Sequence, residues 1–272
     1  MSSPLQQRIA QHYSQGTGGD LLSAVLAALK AAGKDDATPL RYEDMGSADH
    51  FHGGALGATR ALAQLGDLAA GERVLDMGGG FGGPARTLAV EFGCRVTVLD
   101  PTEPFIQAGR ELTERLGLQD AVKFFLGSGL AMPFADAAFD VVWTQNASMN
   151  IPDKAGLVAE QRRVLRPGGR LVFQEIFAGP GGDVVCPMPW ATDPSTSFLV
   201  PPEQVRTLLL EAGFEERFWL APPTNQPSGA TTPLVSAAAI VHGPNAAAME
   251  EATRRNQAEQ RVVGYRAVFV RR

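Results

Sequence analysis

Residues 74–89 read VLDMGGGFGGPARTLA. An apolar run ends in Asp76, glycines stand at positions 78, 79, 80, 82 and 83, and Pro84 opens a helical-looking stretch. Glycine has no Cβ, so a ligand can lie directly against the backbone of such a turn. A carboxylate at the end of the preceding strand suits a cationic ligand group and repels a phosphate. Histidines, the side chains best suited to proton transfer near neutral pH, number four in the chain. Two of them, His50 and His52, fall together in DHFHGG.

The turn is compatible with several ligands. A P-loop needs Gly-Lys-Ser/Thr after its last turn glycine; here Gly83 is followed by Pro84 and Ala85, which excludes it. A dinucleotide site needs G-x-G-x-x-G and an acid about 20 residues on, and Gly78, Gly80, Gly83 and Asp100 satisfy that spacing. S-adenosylmethionine brings an ammonium and a sulfonium and no diphosphate, and Asp76 favours it.

These residues need elements to hold them. RVLDM, RVTVLD (95–100), VKFFLG (122–127), FDVVWTQ (139–145) and RLVFQEIF (170–177) read as strands. PARTLAVEFG, TEPFIQAGRELTERLG and DKAGLVAEQRRVL read as the helices between them, the last opening on Asp153 as an N-cap. RPGG (166–169) reads as a turn. This alternation predicts a mostly parallel sheet with helices on both faces. Upstream, LLSAVLAALKAAG (21–33) has an apolar helical face and a stop at Gly33, followed by the polar link KDDATPL. Downstream, 178–202 is irregular and holds Trp190 and Phe198, FEERFWLA reads as a strand, PPTNQPSGATTP (222–233) is rich in turn formers, and YRAVFV (265–270) is a final strand. The helix 245–262 is charged on most faces, which predicts a solvated connection.

With FDVVWTQN, a helix, RVLRPGG and a strand following the glycine turn in that order, residues 50–215 resemble the class I S-adenosylmethionine-dependent methyltransferases. The stretches GGPARTLA, WTQNASMNIPDK and RVLRPGG are most similar to the small-molecule members related to sarcosine/dimethylglycine N-methyltransferases and quinone or tocopherol C-methyltransferases. The resemblance implies an α/β, Rossmann-like, seven-stranded mostly parallel sheet. It implies a helical cap over 1–66, a cofactor domain over 67–272 and a substrate lid at about 178–200. It assigns S-adenosylmethionine, with S-adenosylhomocysteine as product, to Asp76, Gly78, Gly80, Gly82, Asp100, Pro101 and Gln145. Many members carry an acid near the adenine amine; here Ser128, with Gly129 and Leu130, stands in its place. In the resembling proteins the DHFHGG region covers the methyl-transfer site, so His52, then His50, are candidate bases or substrate ligands; the alternative is that they hold a local turn. Asn146, Met149 and Asn150 either face the substrate or cap their loop. Trp190 and Phe198 either wall the substrate or pack the lid. His12 and His242 are expected at the surface. No metal spacing links Glu175, Asp183 and Asp193.

Composition narrows the partners. The 272 residues carry a net charge of −5 with no dense Lys/Arg run, against a nucleic-acid binder. Met1–Gln15 has no apolar leader pattern and no stretch is long enough to span a bilayer, so a cytoplasmic monomer or homodimer acting on a small molecule is expected. Cys94 and Cys186 are too few for a disulfide framework or a metal cluster. A nicotinamide-dependent oxidoreductase and a catalytically silent S-adenosylmethionine binder are the alternatives. Among acceptors, a cationic amine suits the mild acidity and the aromatic lid slightly best.

Overall fold

Strand β1 (Arg73–Met77) sends Val74 and Asp76 to one side and Leu75 and Met77 to the other, and all four are buried. Burial of both faces is the condition of a parallel strand covered by helices. The computed structural model describes residues 4–14, 16–17, 20–34, 39–46, 48–221 and 236–272. The turn-rich 222–233 segment, and 35–38 of the polar link, lie outside the described residues.

The other strands are β2 (Arg95–Asp100), β3 (Val122–Leu126), β4 (Phe139–Gln145), β5 (Leu165–Ala178), β6 (Phe214–Leu220) and β7 (Val262–Arg271). They form one seven-stranded sheet in the order β3-β2-β1-β4-β5-β7-β6. β1 to β5 run parallel, and β7 is antiparallel to both neighbours. The sheet is thus the Rossmann-like, mostly parallel one that the alternation predicts. Its strand order reverses between β1 and β4, where open α/β sheets bind ligands at the carboxyl ends of the strands.

Helices α4 (Ala55–Leu65), α5 (Gly83–Phe92) and α6 (Glu103–Arg115) cover one face, meeting Val74, Val96 and Val98 with Leu62, Leu88 and Ile106. α7 (Lys154–Val164) and α8 (Pro202–Glu211) cover the other, through Leu157, Val158 and Leu209. Asp153 caps α7 as expected, accepting from Gly156 N at 2.8 Å. Above the carboxyl edge sit α1 (Pro4–Ser14), α2 (Leu21–Ala31), the short α3 (Tyr42–Met45) and α9 (Ala237–His242). Leu21, Val25 and Leu29 of α2 pack with Leu112 of α6 and Val241 of α9.

Three details depart from expectation. The RPGG turn is absorbed into β5 as an irregularity, where the pairing jumps from Phe139–Leu165 to Val141–Arg170. The last charged helix, α10 (Ala246–Ala258), is not solvated all round. Its Met249, Ala252 and Asn256 are buried, and the Asn256 amide holds the irregular 178–200 stretch at Val185 N (2.9 Å) and Val185 O (2.8 Å). His12 and His242 are buried, not superficial, because α1 packs against that stretch. His12 Nδ1 is 2.9 Å from Thr192 Oγ1 and Nε2 is 3.0 Å from Pro189 O.

Candidate functional site

A cavity of about 360 Å³ opens at the strand-order reversal, within the size range of small-molecule sites. The glycine turn forms its floor. Gly78 and Gly80 adopt φ of 72° and 56°, which side chains resist. Gly79, which the motif spacing leaves unassigned, also lines the cavity, and a Cβ there would lie 2.5 Å from Asp76 Oδ2. Gly82 does not line it. A Cβ on Gly82 would strike the Phe124 ring at 2.6 Å, so this glycine serves packing between α5 and β3.

At the end of β1 the Asp76 carboxyl is buried, and its Oδ2 has no hydrogen-bond partner in the protein. Burial, then the neighbouring Asp100, pushes its pKa up to about 8. At the end of β4 the Gln145 Nε2 is likewise buried without a partner, while its Oε1 accepts from Thr59 Oγ1 at 3.0 Å. One orphaned acceptor and one orphaned donor therefore belong to two residues that line the same cavity. They fit the ammonium and carboxylate of an amino-acid group, because a buried polar atom left unpaired is costly.

Asp100, at the tip of β2, accepts from Gly80 N at 3.0 Å and from Thr102 N at 2.9 Å, one bond on each oxygen. Burial raises its pKa, and those N–H groups offset part of the rise. The remaining lone pairs suit a pair of ribose hydroxyls. Pro101, Ser128, Gly129 and Leu130 line the same end, with Leu99 and Phe105 as apolar walls. Ser128 Oγ is occupied in accepting from Leu130 N at 3.2 Å. The residues present thus fit S-adenosylmethionine: Asp76 and Gln145 at the methionine end, Asp100 at the ribose, and the Ser128–Leu130 turn at the base.

The two histidines of DHFHGG separate. His50 is buried behind the cavity wall, with Nδ1 2.8 Å from Asp49 Oδ1 and Nε2 3.2 Å from Thr87 Oγ1. His52 lines the cavity, but both its nitrogens face protein oxygens, Thr59 Oγ1 at 3.0 Å and Gly53 O at 3.3 Å. Desolvation, then the nearby His50, holds the His52 pKa at about 3. The neutral ring has one proton and can donate to only one of these oxygens, and an imidazole held this far below its ordinary pKa is a poor proton acceptor. With its proton on Nε2, His52 donates to Thr59, which donates to Gln145 and leaves the amide N–H₂ for the cavity.

Asn146, Ala147 and Asn150 line the cavity, whereas Met149 is turned into the lid cluster. Trp190 is buried in that cluster with Met188 and Ala191, and its Nε1 donates to Ser197 Oγ at 3.0 Å. Neither Trp190 nor Phe198 is among the cavity walls. Glu175, buried on β5, holds the Asn146–Asn150 loop by accepting from Thr144 Oγ1, Ser148 N and Ser148 Oγ.

Sequence reasoning expected a helical cap over 1–66 but missed the residues by which its first helix lines the cavity. Leu5, Ile9 and Tyr13 stand at four-residue spacing on α1, one helix face, and all three line the cavity. The Tyr13 hydroxyl donates to Asn150 Oδ1 at 2.9 Å. It also missed Asp49, which lines the cavity and accepts from Arg86 Nη2 at 2.9 Å and Nε at 3.1 Å. Arg86 is wholly buried and donates further to Phe81 O (2.7 Å) and Thr113 Oγ1 (2.9 Å). Burial pushes the Asp49 carboxyl up, but Arg86 and His50 outweigh it and hold it at about 2. The signal was an arginine inside the otherwise small and apolar GGPARTLA.

Comparison with known proteins agrees with this geometry. Residues 75–173 match the family model described as Methyltransferase domain. The glycine/sarcosine/dimethylglycine N-methyltransferase of Actinopolyspora halophila is 39% identical over 112 residues, 41% of this chain and 20% of that protein. Methyltransferase GfsG of Streptomyces halstedii is 32% identical over 158 residues, 58% of this chain and 57% of its own. The chain thus spans less than two thirds of the length of these relatives. In fold, it matches a geranyl diphosphate C-methyltransferase from Streptomyces coelicolor A3(2), solved with Mg²⁺, geranyl-S-thiolodiphosphate and S-adenosyl-L-homocysteine. That match has a TM-score of 0.72 and 17% identity, over 100% of this chain and 99% of the other. Residues 75–173 thus carry a methyltransferase domain, the fold is that of the class I S-adenosylmethionine-dependent methyltransferases, and the residues lining the cavity fit S-adenosylmethionine.

Proposed function

We propose that the chain transfers the methyl group of S-adenosylmethionine to a small-molecule acceptor by in-line displacement. The observation that carries this reading is the pair of unpartnered buried atoms, Asp76 Oδ2 and Gln145 Nε2, beside the Asp100 carboxylate. When bound, S-adenosylmethionine supplies an electrophilic methyl on a sulfonium, whose departure as a neutral thioether needs no acid. The chain's task is therefore alignment and exclusion of water. Asp76 and Gln145 hold one end of the cofactor and Asp100 the other, while His52 and Thr59 keep Gln145 turned. Tyr13, Phe51 and Asn150 wall the opposite side of the cavity. An amine nitrogen is the favoured acceptor atom, supported by the relatives named as glycine/sarcosine/dimethylglycine N-methyltransferases.

Calorimetric titration with S-adenosylhomocysteine tests this, beside Asp100→Ala and an NAD titration. Micromolar binding that is lost in the variant is the expected result. NAD binding instead would assign the site to an oxidoreductase. Transfer of labelled methyl to none of a broad acceptor panel, despite tight binding, would leave a silent binder.

A further inference from the structure

The reading above leaves the acceptor's chemistry open, and the cavity walls constrain it. Among the residues lining the cavity there is no lysine or arginine. Arg8 sits between Leu5 and Ile9 in sequence but is turned outward to Ser195 Oγ at 3.3 Å. Arg86 lies behind the wall and is consumed by Asp49. The residues outside the described set, 1–3, 15, 18–19, 35–38, 47 and 222–235, contain no Lys, Arg or His at all. Among the described residues no group of three His, Cys, Asp or Glu is placed to hold a metal ion. Among the described residues, no lysine or arginine therefore lines the cavity to meet an anionic acceptor.

The negative charges are equally committed. Asp49 is paired with Arg86, and Asp76 and Asp100 belong to the cofactor end. The acceptor half presents Leu5, Ile9, Phe51 and Ile151, with few polar atoms. They include the acceptor oxygens of Tyr13 and Asn146, beside the Asn146 amide donor. The Tyr13 hydroxyl spends its proton on Asn150 Oδ1, and the Asn150 amide donates to Trp190 O (2.9 Å) and Thr196 O (2.8 Å), so the Tyr13 oxygen is left to accept. Asn146 Oδ1 is buried and unpartnered.

We propose that the acceptor is a neutral, largely apolar molecule presenting an N–H or O–H donor to Tyr13 Oη and Asn146 Oδ1, and carrying no carboxylate or phosphate. This rests on the methyltransferase reading, and it departs from the amino-acid acceptors in the names of the N-methyltransferase relatives, from which only the nitrogen acceptor atom is retained. In the complex with S-adenosylhomocysteine, which has no sulfonium, an anion moved from water into these walls would lose its hydration with no side-chain counter-charge in return, a penalty of several kcal/mol. A neutral donor instead meets the unused lone pairs of Tyr13 Oη and the unpartnered Asn146 Oδ1.

The test uses the full chain saturated with S-adenosylhomocysteine and two matched pairs of probes: indole against indole-2-carboxylate, and 1-naphthol against 1-hydroxy-2-naphthoate. Calorimetry is expected to show the neutral member of each pair binding at least about tenfold tighter, the least that a partnerless charge should cost. Tyr13→Phe should weaken the neutral probes and leave S-adenosylhomocysteine affinity unchanged. Leu5→Arg should narrow or invert the ratio within each pair. Equal or tighter binding of the carboxylated members overturns the proposal, as does failure of both neutral probes on a chain that holds S-adenosylhomocysteine. Failure of S-adenosylhomocysteine itself to bind is a separate result, and it removes the cofactor reading beneath.

Discussion

Asp76 makes cofactor binding a proton-linked event. Without a cation beside it, the carboxyl titrates near pH 8. At pH 7 about nine chains in ten therefore carry it protonated. A ligand ammonium needs the carboxylate, so binding must expel that proton. Below pH 8 the affinity should weaken about tenfold for each pH unit, about 1.36 kcal/mol per unit. Between pH 7.5 and 6 the Kd for S-adenosylhomocysteine should thus rise about 24-fold. Calorimetry at pH 7 in two buffers of different ionisation enthalpy should report release of about 0.9 proton per ligand. Asp76→Asn should bind weakly, with no slope and no release. The same shift has a consequence for the free chain. Its folded Asp76 pKa lies above the unfolded value, so the native state binds more protons between the two, and stability falls as pH rises from about 4 to 8. Asp76→Asn should remove that loss and raise the ligand-free Tm at pH 8. A flat Kd over the window, or the same slope in the Asn variant, would refute the reasoning.

Three further outcomes follow from the geometry. Gly79→Ala places a Cβ 2.5 Å from Asp76 Oδ2, so S-adenosylhomocysteine affinity should fall at least about tenfold by calorimetry while the far-ultraviolet dichroism stays native. Arg86→Met leaves Asp49 buried without its main counter-charge; a loss of about 3–5 kcal/mol is expected, seen as a Tm drop of roughly 10 °C. Thr59→Val cuts the link between His52 and Gln145, and should raise the Kd for S-adenosylhomocysteine about fivefold with little change in Tm.

The parallel sheet and the cofactor end were legible because both are local. Strand, glycine turn and helix are contiguous over 73–92, and Asp100 ends the next strand, so short-range pattern and chemistry coincide. The acceptor end was not legible, because it is assembled from distant segments. Tyr13 meets Asn150 across 137 positions and His12 meets Thr192 across 180. No spacing in a single chain announces such contacts. The histidines misled for a related reason. An imidazole near a glycine turn reads as a base until its partners are known, and Thr59, Thr87 and Asp49 occupy the nitrogens here. Trp190 misled because a large aromatic in an irregular stretch reads as a wall, whereas burial against Met149 and Met188 makes it the lid's own core.

Leu5, Ile9 and Tyr13 form a single stripe on a helix that precedes the first strand. The grip on the cofactor is written in one part of the gene and the shape of the acceptor largely in another. Recombining or randomising those three codons leaves the sheet register and the glycine turn untouched. Under the proposed reading, substitutions along that stripe would alter the acceptor's surroundings without touching the residues assigned to the methyl donor.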